Sequence, residues 1–133
     1  SLWETRLLAT DISNRAMTAA KMGVYELPDT IPPDWKKKYF IPHSGCQYQV
    51  APRVRDNVIF QPFNLMDPIK FRRKFDVIFC RNVMIYFDQP TKDALVRRFY
   101  DATAPGGYLL ISKSENLSAN MPYRRLAPST FQK

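Results

Sequence analysis

Contiguous apolar runs, each ending in a polar or acidic residue, alternate along this chain with stripes at helical spacing. Leu7, Leu8 and Ala9 lead into Thr10 and Asp11 and predict a buried strand closed by an acid. Ser13 or Asp11 can cap the helix predicted over Asn14–Met22, which Gly23 stops. Pro28, Pro32 and Pro33 punctuate the next stretch, and Pro33 suits the first turn of a short helix over 35–39. Gln47–Val50 alternates polar and apolar, the mark of a half-exposed strand, and 58–63 reads as another with Pro62 near its end. The clearest strand is Phe75–Cys80, whose inner residues Val77, Ile78 and Phe79 are continuously apolar, as in a central parallel strand. Asp88 or Gln89 opens a helix with Pro90 in its first turn and Leu95, Phe99 and Ala102 along one stripe. Ala104, Pro105, Gly106 and Gly107 end that helix, and 108–112 returns as a strand. The tail through Tyr123 and Phe131 can supply a last antiparallel pair.

Strands alternating with helices imply an α/β fold with a parallel sheet and right-handed crossovers. A nucleotide-binding sheet of this kind normally opens with strand, glycine-rich turn and helix. The four glycines here make no GxGxxG. The chain is therefore expected to begin after that first unit, which would leave an interior edge of the sheet open.

Composition narrows the class. Of 133 residues, 45% are apolar, enough to bury a core and too many for a disordered chain. No apolar run reaches the roughly 18 residues needed to span a bilayer. Residues 1–6 carry no basic and apolar leader pattern, so a cytoplasmic protein without membrane insertion is expected. Cys46 and Cys80 form no CxxC, and His43 alone cannot complete a zinc site, so reduced thiols and no metal are expected. The formal charge of +8 is spread over short groups such as Lys36, Lys37 and Lys38, Arg53 and Arg55, and Arg97 and Arg98. Such groups read first as solvated faces, and charge alone does not select a partner.

Candidate chemistry sits where ligands bind in open α/β sheets, outside the carboxyl ends of the strands. Asp11 can accept hydrogen bonds from both ribose hydroxyls of an adenosine cofactor, or merely cap the helix. Asn64 followed by Leu65 can give an adenine a polar edge contact and an apolar cover, or form an Asx-turn. Arg81 and Asn82 directly follow the central strand, and Asn82 can hold the amino-acid part of a cofactor or the reacting group. Tyr86, four residues on, offers a sulfonium an aromatic face and a hydroxyl, or is a buried tyrosine. Lys113 and Glu115 follow the last parallel strand and can organise the mouth of the site or lie in a solvated loop. No Ser/His/Asp set stands out, so triad hydrolysis is not expected, and without GxxxxGK[ST] there is no P-loop.

These segments together resemble the CheR family of chemotaxis receptor methyltransferases over nearly the whole chain. The resemblance is carried by Leu8-Ala9-Thr10-Asp11-Ile12-Ser13, Gly23-Val24-Tyr25, Lys38-Tyr39-Phe40, Phe63-Asn64-Leu65, Pro105-Gly106-Gly107 and Ser114-Glu115. Above all it rests on Cys80-Arg81-Asn82-Val83-Met84-Ile85-Tyr86-Phe87. It implies a class I, Rossmann-like methyltransferase sheet of seven strands with a reversed last strand, and a small antiparallel β-subdomain near 40–60. Residues 1–133 would then be a partial S-adenosylmethionine-dependent methyltransferase domain. S-adenosyl-L-methionine would be the donor, S-adenosyl-L-homocysteine the product, and glutamates on the cytoplasmic helices of methyl-accepting chemotaxis receptors the acceptors. By the same resemblance Asp11 binds the ribose, Asn64 and Leu65 hold the adenine region, and Arg81 and Asn82 line the cofactor and acceptor site. Tyr86 lies near the transferred methyl, and Tyr86 and Asn82 form the catalytic pair.

The chain departs from the family pattern in lacking its helical N-terminal domain and its acidic, glycine-containing first loop. It also carries Lys113-Ser114-Glu115 where many members have His-Ser-Glu. The short turn at Ser44, Gly45 and Cys46 suggests a member that needs no receptor-tail peptide. The chain by itself is expected to lack full activity, and the protein to be a monomer that binds no nucleic acid. Two other readings stay open on residues alone: a non-catalytic regulatory module of the same fold, and a nucleic-acid methyltransferase suggested by the charge.

Overall fold

The computed structural model describes residues 5–133; the first four residues of the leader reading lie outside them. Two compact units divide the chain, Ser1–Asn64 and Leu65–Lys133.

In the first unit, β1 (Leu7–Asp11) leads to α1 (Asn14–Met22), β2 (Val24–Glu26), α2 (Pro33–Tyr39), β3 (Phe40–Pro42), β4 (Gln47–Val50), α3 (Pro52–Arg55) and β5 (Val58–Pro62). β1 and β5 pair in parallel, Leu7 opposite Val58 through Asp11 opposite Pro62. α1 packs on this pair and buries Met17. Of the two possible caps, Ser13 is the one used: its Oγ accepts the Ala16 N–H at 3.2 Å. Gly23 at φ 65° supplies the left-handed residue that ends the helix. Arg55 Nη1 donates to the carbonyls of Lys21 and Met22, so a cation also satisfies the helix C-terminus. β2, β4 and β3 form a separate antiparallel sheet in that order. Basic side chains lie over aromatic rings here: Lys36 over Tyr48 of β4 at 5.2 Å, and Lys38 and Arg53 over Tyr39 of α2 at 5.3 and 5.7 Å.

The second unit holds β6 (Phe75–Cys80), a 3-10 turn at Met84–Tyr86, α4 (Gln89–Ala102), β7 (Thr103–Ile111), β8 (Arg124–Ala127) and β9 (Thr130–Gln132). The sheet order is β6-β7-β9-β8. β6 and β7 are parallel, joined by α4, and β9 runs antiparallel to β7, so the reversed strand is present. Asp88 caps α4 by accepting the Thr91 N–H at 2.9 Å; hydrogen bonding from the Thr91 side chain, and then from that N–H, lowers the pKa of its carboxyl. The core forms where Leu95, Val96 and Phe99 of α4 meet Leu109 and Ile111 of β7 and Phe131 of β9. Burying side chains of this size stabilises by roughly 1.5–3 kcal/mol each.

Three expectations change. β7 starts at Thr103, so the Pro-Gly-Gly segment is inside the strand, and Ser112 falls just beyond it. Gly106 at φ 79° turns the chain. A Cβ on Gly107 would lie 2.8 Å from the Asp76 carbonyl oxygen, so only glycine lets β7 approach β6 there. β1 and β6 are also less covered than their apolar runs imply: Leu7 is 55%, Val77 44% and Phe79 68% exposed. Among the described residues, β1 pairs only with β5 and β6 only with β7, so β6, expected to be central, lies at the edge of its sheet. Finally, Tyr86 is not a buried tyrosine but is 81% exposed.

Candidate functional site

Parallel pairing brings strand ends together, and the candidate residues lie at those ends. In the first unit, register sets Asp11 opposite Pro62, and the Phe63 N–H donates to the Asp11 carbonyl at 3.1 Å. Asn64 therefore follows β5 at the same end of the pair as Asp11. The Asp11 carboxylate does not cap α1. Its Oδ1 accepts the Ser13 N–H at 2.8 Å, an arrangement that orients the side chain and leaves it exposed.

In the second unit, β6 delivers Cys80, Arg81 and Asn82 in succession. Cys80 is buried, and burial, followed by the charge of Glu115, pushes its thiol up to about 11. Arg81 is exposed. Asn82 stands at φ 60°, the left-handed region that few non-glycine residues occupy, asparagine more readily than most. Ser112, 2% exposed at the end of β7, holds it there. The Asn82 N–H donates to Ser112 Oγ at 2.6 Å, and the Ser112 hydroxyl donates to Asn82 Oδ1 at 2.8 Å. The 3-10 turn that follows presents Tyr86 to solvent while Met84 enters the core. Leu65, half-buried, contributes its carbonyl to Arg98 Nη2 at 2.6 Å.

Glu115 lies in the turn after β7, its N–H donating to the Ser112 carbonyl at 3.1 Å. Its side chain is 5% exposed, with Lys92 Nζ 3.9 Å from one oxygen and no hydrogen bond to either oxygen. It is thus not part of a solvated loop. From sequence, Ser112 is only the end of a strand. The signal that could have found it is a hydroxyl closing an apolar run beside the strand that carries Asn82.

Within each unit, then, the structure gathers Asp11 with Asn64, and Arg81 with Asn82, Ser112 and Tyr86. The side chains so gathered are a carboxylate and an amide in the first unit, and a guanidinium, an amide, a hydroxyl and a phenol in the second. Among the described residues no group of His, Cys, Asp and Glu could hold a metal, Cys46 and Cys80 are free thiols, and no helix is long and apolar enough to cross a membrane.

The family model for the CheR methyltransferase, SAM binding domain, matches residues 1–132. The chain belongs to this family. It is 37% identical over 134 residues to a chemotaxis protein methyltransferase of Borreliella burgdorferi, covering 98% of this chain and 47% of that protein. It is 40% identical over 117 residues to one of Klebsiella aerogenes, covering 83% and 40%. The chain thus spans about half the length, or less, of these CheR relatives. Among solved structures, PKMT2 from Rickettsia typhi in complex with AdoHcy matches with a TM-score of 0.51 and 17% identity, covering 81% of this chain and 17% of that one. A possible exported protein from Bordetella parapertussis gives 0.51 and 18%, covering 80% and 27%. The fold is that of a class I methyltransferase, and this CheR domain is the one that binds S-adenosylmethionine.

Proposed function

We propose that the protein containing this domain converts glutamate side chains of chemotaxis receptors to methyl esters, and that residues 1–133 are part of its catalytic domain, with β3 and β4 in a small β-subdomain inserted near 40–60. When bound, S-adenosylmethionine supplies a methyl group on a sulfonium, open to attack by a carboxylate. Asp11 accepts from the ribose hydroxyls, Asn64 and Leu65 serve the adenine, and Arg81 and Asn82 hold the charged groups of donor and acceptor. Tyr86 turns an exposed aromatic face towards the reacting centre, where a ring attracts positive charge. No side chain has to remove a proton, because a glutamate of pKa about 4.3 is already ionised near neutrality. Rate enhancement then comes from alignment, an effect worth up to about 7–11 kcal/mol.

The observation that carries this reading is Asn82: a non-glycine residue held at φ 60°, exposed, at the carboxyl end of a parallel strand. Backbone strain maintained by a buried hydroxyl points to function. The test uses the full-length protein, labelled donor and receptor membranes. Base-labile methyl esters should form, and should fall at least about a hundredfold with Asn82→Ala, a loss of the size expected when a reactant slips from alignment. Transfer only to nitrogen, or to RNA, would reject the substrate class.

A further inference from the structure

We infer that Ser112 is a positioning residue that sets the polarity of the Asn82 amide, so that Asn82 presents its NH2 group outward and recognises a carboxylate. The inference rests on the function proposed above and deepens it. One hydroxyl makes both contacts. Ser112 Oγ accepts the Asn82 N–H at 2.6 Å, which leaves the hydroxyl a single proton to give, and Asn82 Oδ1 lies 2.8 Å away. Were the amide turned over, its nitrogen would meet Ser112 as a second donor. The hydroxyl proton of a residue 2% exposed would then have no acceptor, and a buried unsatisfied donor is costly. The carbonyl oxygen is therefore turned inward, and the two N–H donors of the amide face away from Ser112. The backbone is fixed by the same hydroxyl at φ 60°, so direction and polarity are set together.

An outward NH2 group complements an acceptor that carries charge, and the ligands of the proposed reaction offer two carboxylates of the same chemistry. One belongs to the methionine part of the donor, the other to the receptor glutamate. Neighbouring Arg81 adds positive charge to the same strand end.

Asn82→Asp reverses the outward polarity, yet still accepts from Ser112 and tolerates the left-handed backbone. Ser112→Ala removes both bonds, and Ser112→Thr keeps the hydroxyl. The full-length protein and these variants are titrated calorimetrically with S-adenosylhomocysteine and with 5′-methylthioadenosine, which lacks the amino-acid part. The KM for receptor membranes is measured at saturating donor. If the donor's carboxylate is read, Asn82→Asp and Ser112→Ala weaken S-adenosylhomocysteine by about tenfold or more and leave methylthioadenosine unchanged. If the acceptor's is read, both nucleosides bind as before and the receptor KM rises by a similar factor. In either case Ser112→Thr restores most of the loss. The inference is overturned if both variants match wild type on every ligand, or if methylthioadenosine weakens in parallel and the loss follows a fall in Tm. A wild-type protein that esterifies no receptor would instead sink the proposed function, and the nucleoside titrations still read the amide.

Discussion

Two buried acids of the second unit tie stability to alkaline pH. Burial raises the Cys80 thiol from 9.0 to about 11, with a smaller contribution from Glu115. Burial likewise raises Tyr123 from 10.0 to about 12, offset in part by its hydrogen bond with Thr103. Between the unfolded and folded values the native state binds more protons than the unfolded one, so stability falls as pH rises. Below about pH 9 neither group affects stability; above it the urea midpoint should drop, and Cys80→Ala should flatten the first part of that drop. Glycines test space rather than charge. A Cβ at Gly107 would come within 2.7 Å of Thr103 Cγ2 and 2.9 Å of the Ala104 carbonyl oxygen, so Gly107→Ala should cost about 1–3 kcal/mol in thermal unfolding. Gly45 at φ 57° meets nothing within 4 Å, so Gly45→Ala should cost only the backbone strain, about 1 kcal/mol. At this scale the sequence showed which residues lie at strand ends, Asp11, Asn64 and Asn82 among them. It could not show φ 60° at Asn82 or the hydroxyl that holds it, because Ser112 is thirty positions away and meets it only through strand pairing.

Element by element, legibility followed length and contiguity. β1, α1, β4, β5, β6 and α4 each have an apolar run, a polar-apolar alternation or a capped stripe, and they form where the pattern puts them. β2 and β3, three residues apiece, are too short for any period to register and exist by pairing with β4. The early start of β7 was hidden because Pro-Gly-Gly is a turn signal locally, and only the close approach of Asp76 makes it strand. Exposure misled in the other direction: Val77 and Phe79 have the pattern of a strand covered on both faces, yet they stand 44% and 68% exposed. α4 is the element whose packing is most complete. Leu95, fully buried between β7 and the tail, should cost about 2–5 kcal/mol as Leu95→Ala. Arg97→Ala, on the exposed face of the same helix, should stay within about 0.5 kcal/mol by chemical denaturation. Equal losses at the two positions would mean that the core is not where the burial places it.

At the scale of the whole chain, the formal charge of +8 on these 133 residues would, under the proposed function, act before any contact is made. On that proposal, an acidic receptor helix approaching this basic domain would be drawn in over a distance set by the Debye length, about 10 Å at 0.1 M salt and about 3 Å at 1 M. Encounter rate therefore carries the salt dependence, and alignment after docking does not. In the full-length protein, kcat/KM for receptor methylation should fall by about tenfold or more between low salt and 0.5 M, while kcat and the affinity for S-adenosylhomocysteine change little. The cations best placed to act are those held by aromatic rings rather than swinging free: Lys36 over Tyr48, and Lys38 and Arg53 over Tyr39. A ring that fixes a cation lowers the entropy lost when an acidic partner binds it. Replacing Lys36, Lys37 and Lys38 together by Gln should reduce kcat/KM at low salt and flatten its salt dependence, so that wild type and variant meet at high ionic strength. If the variant keeps the full salt slope, the receptor is steered by some other basic surface. If kcat falls as well, these lysines act after docking and not in the approach.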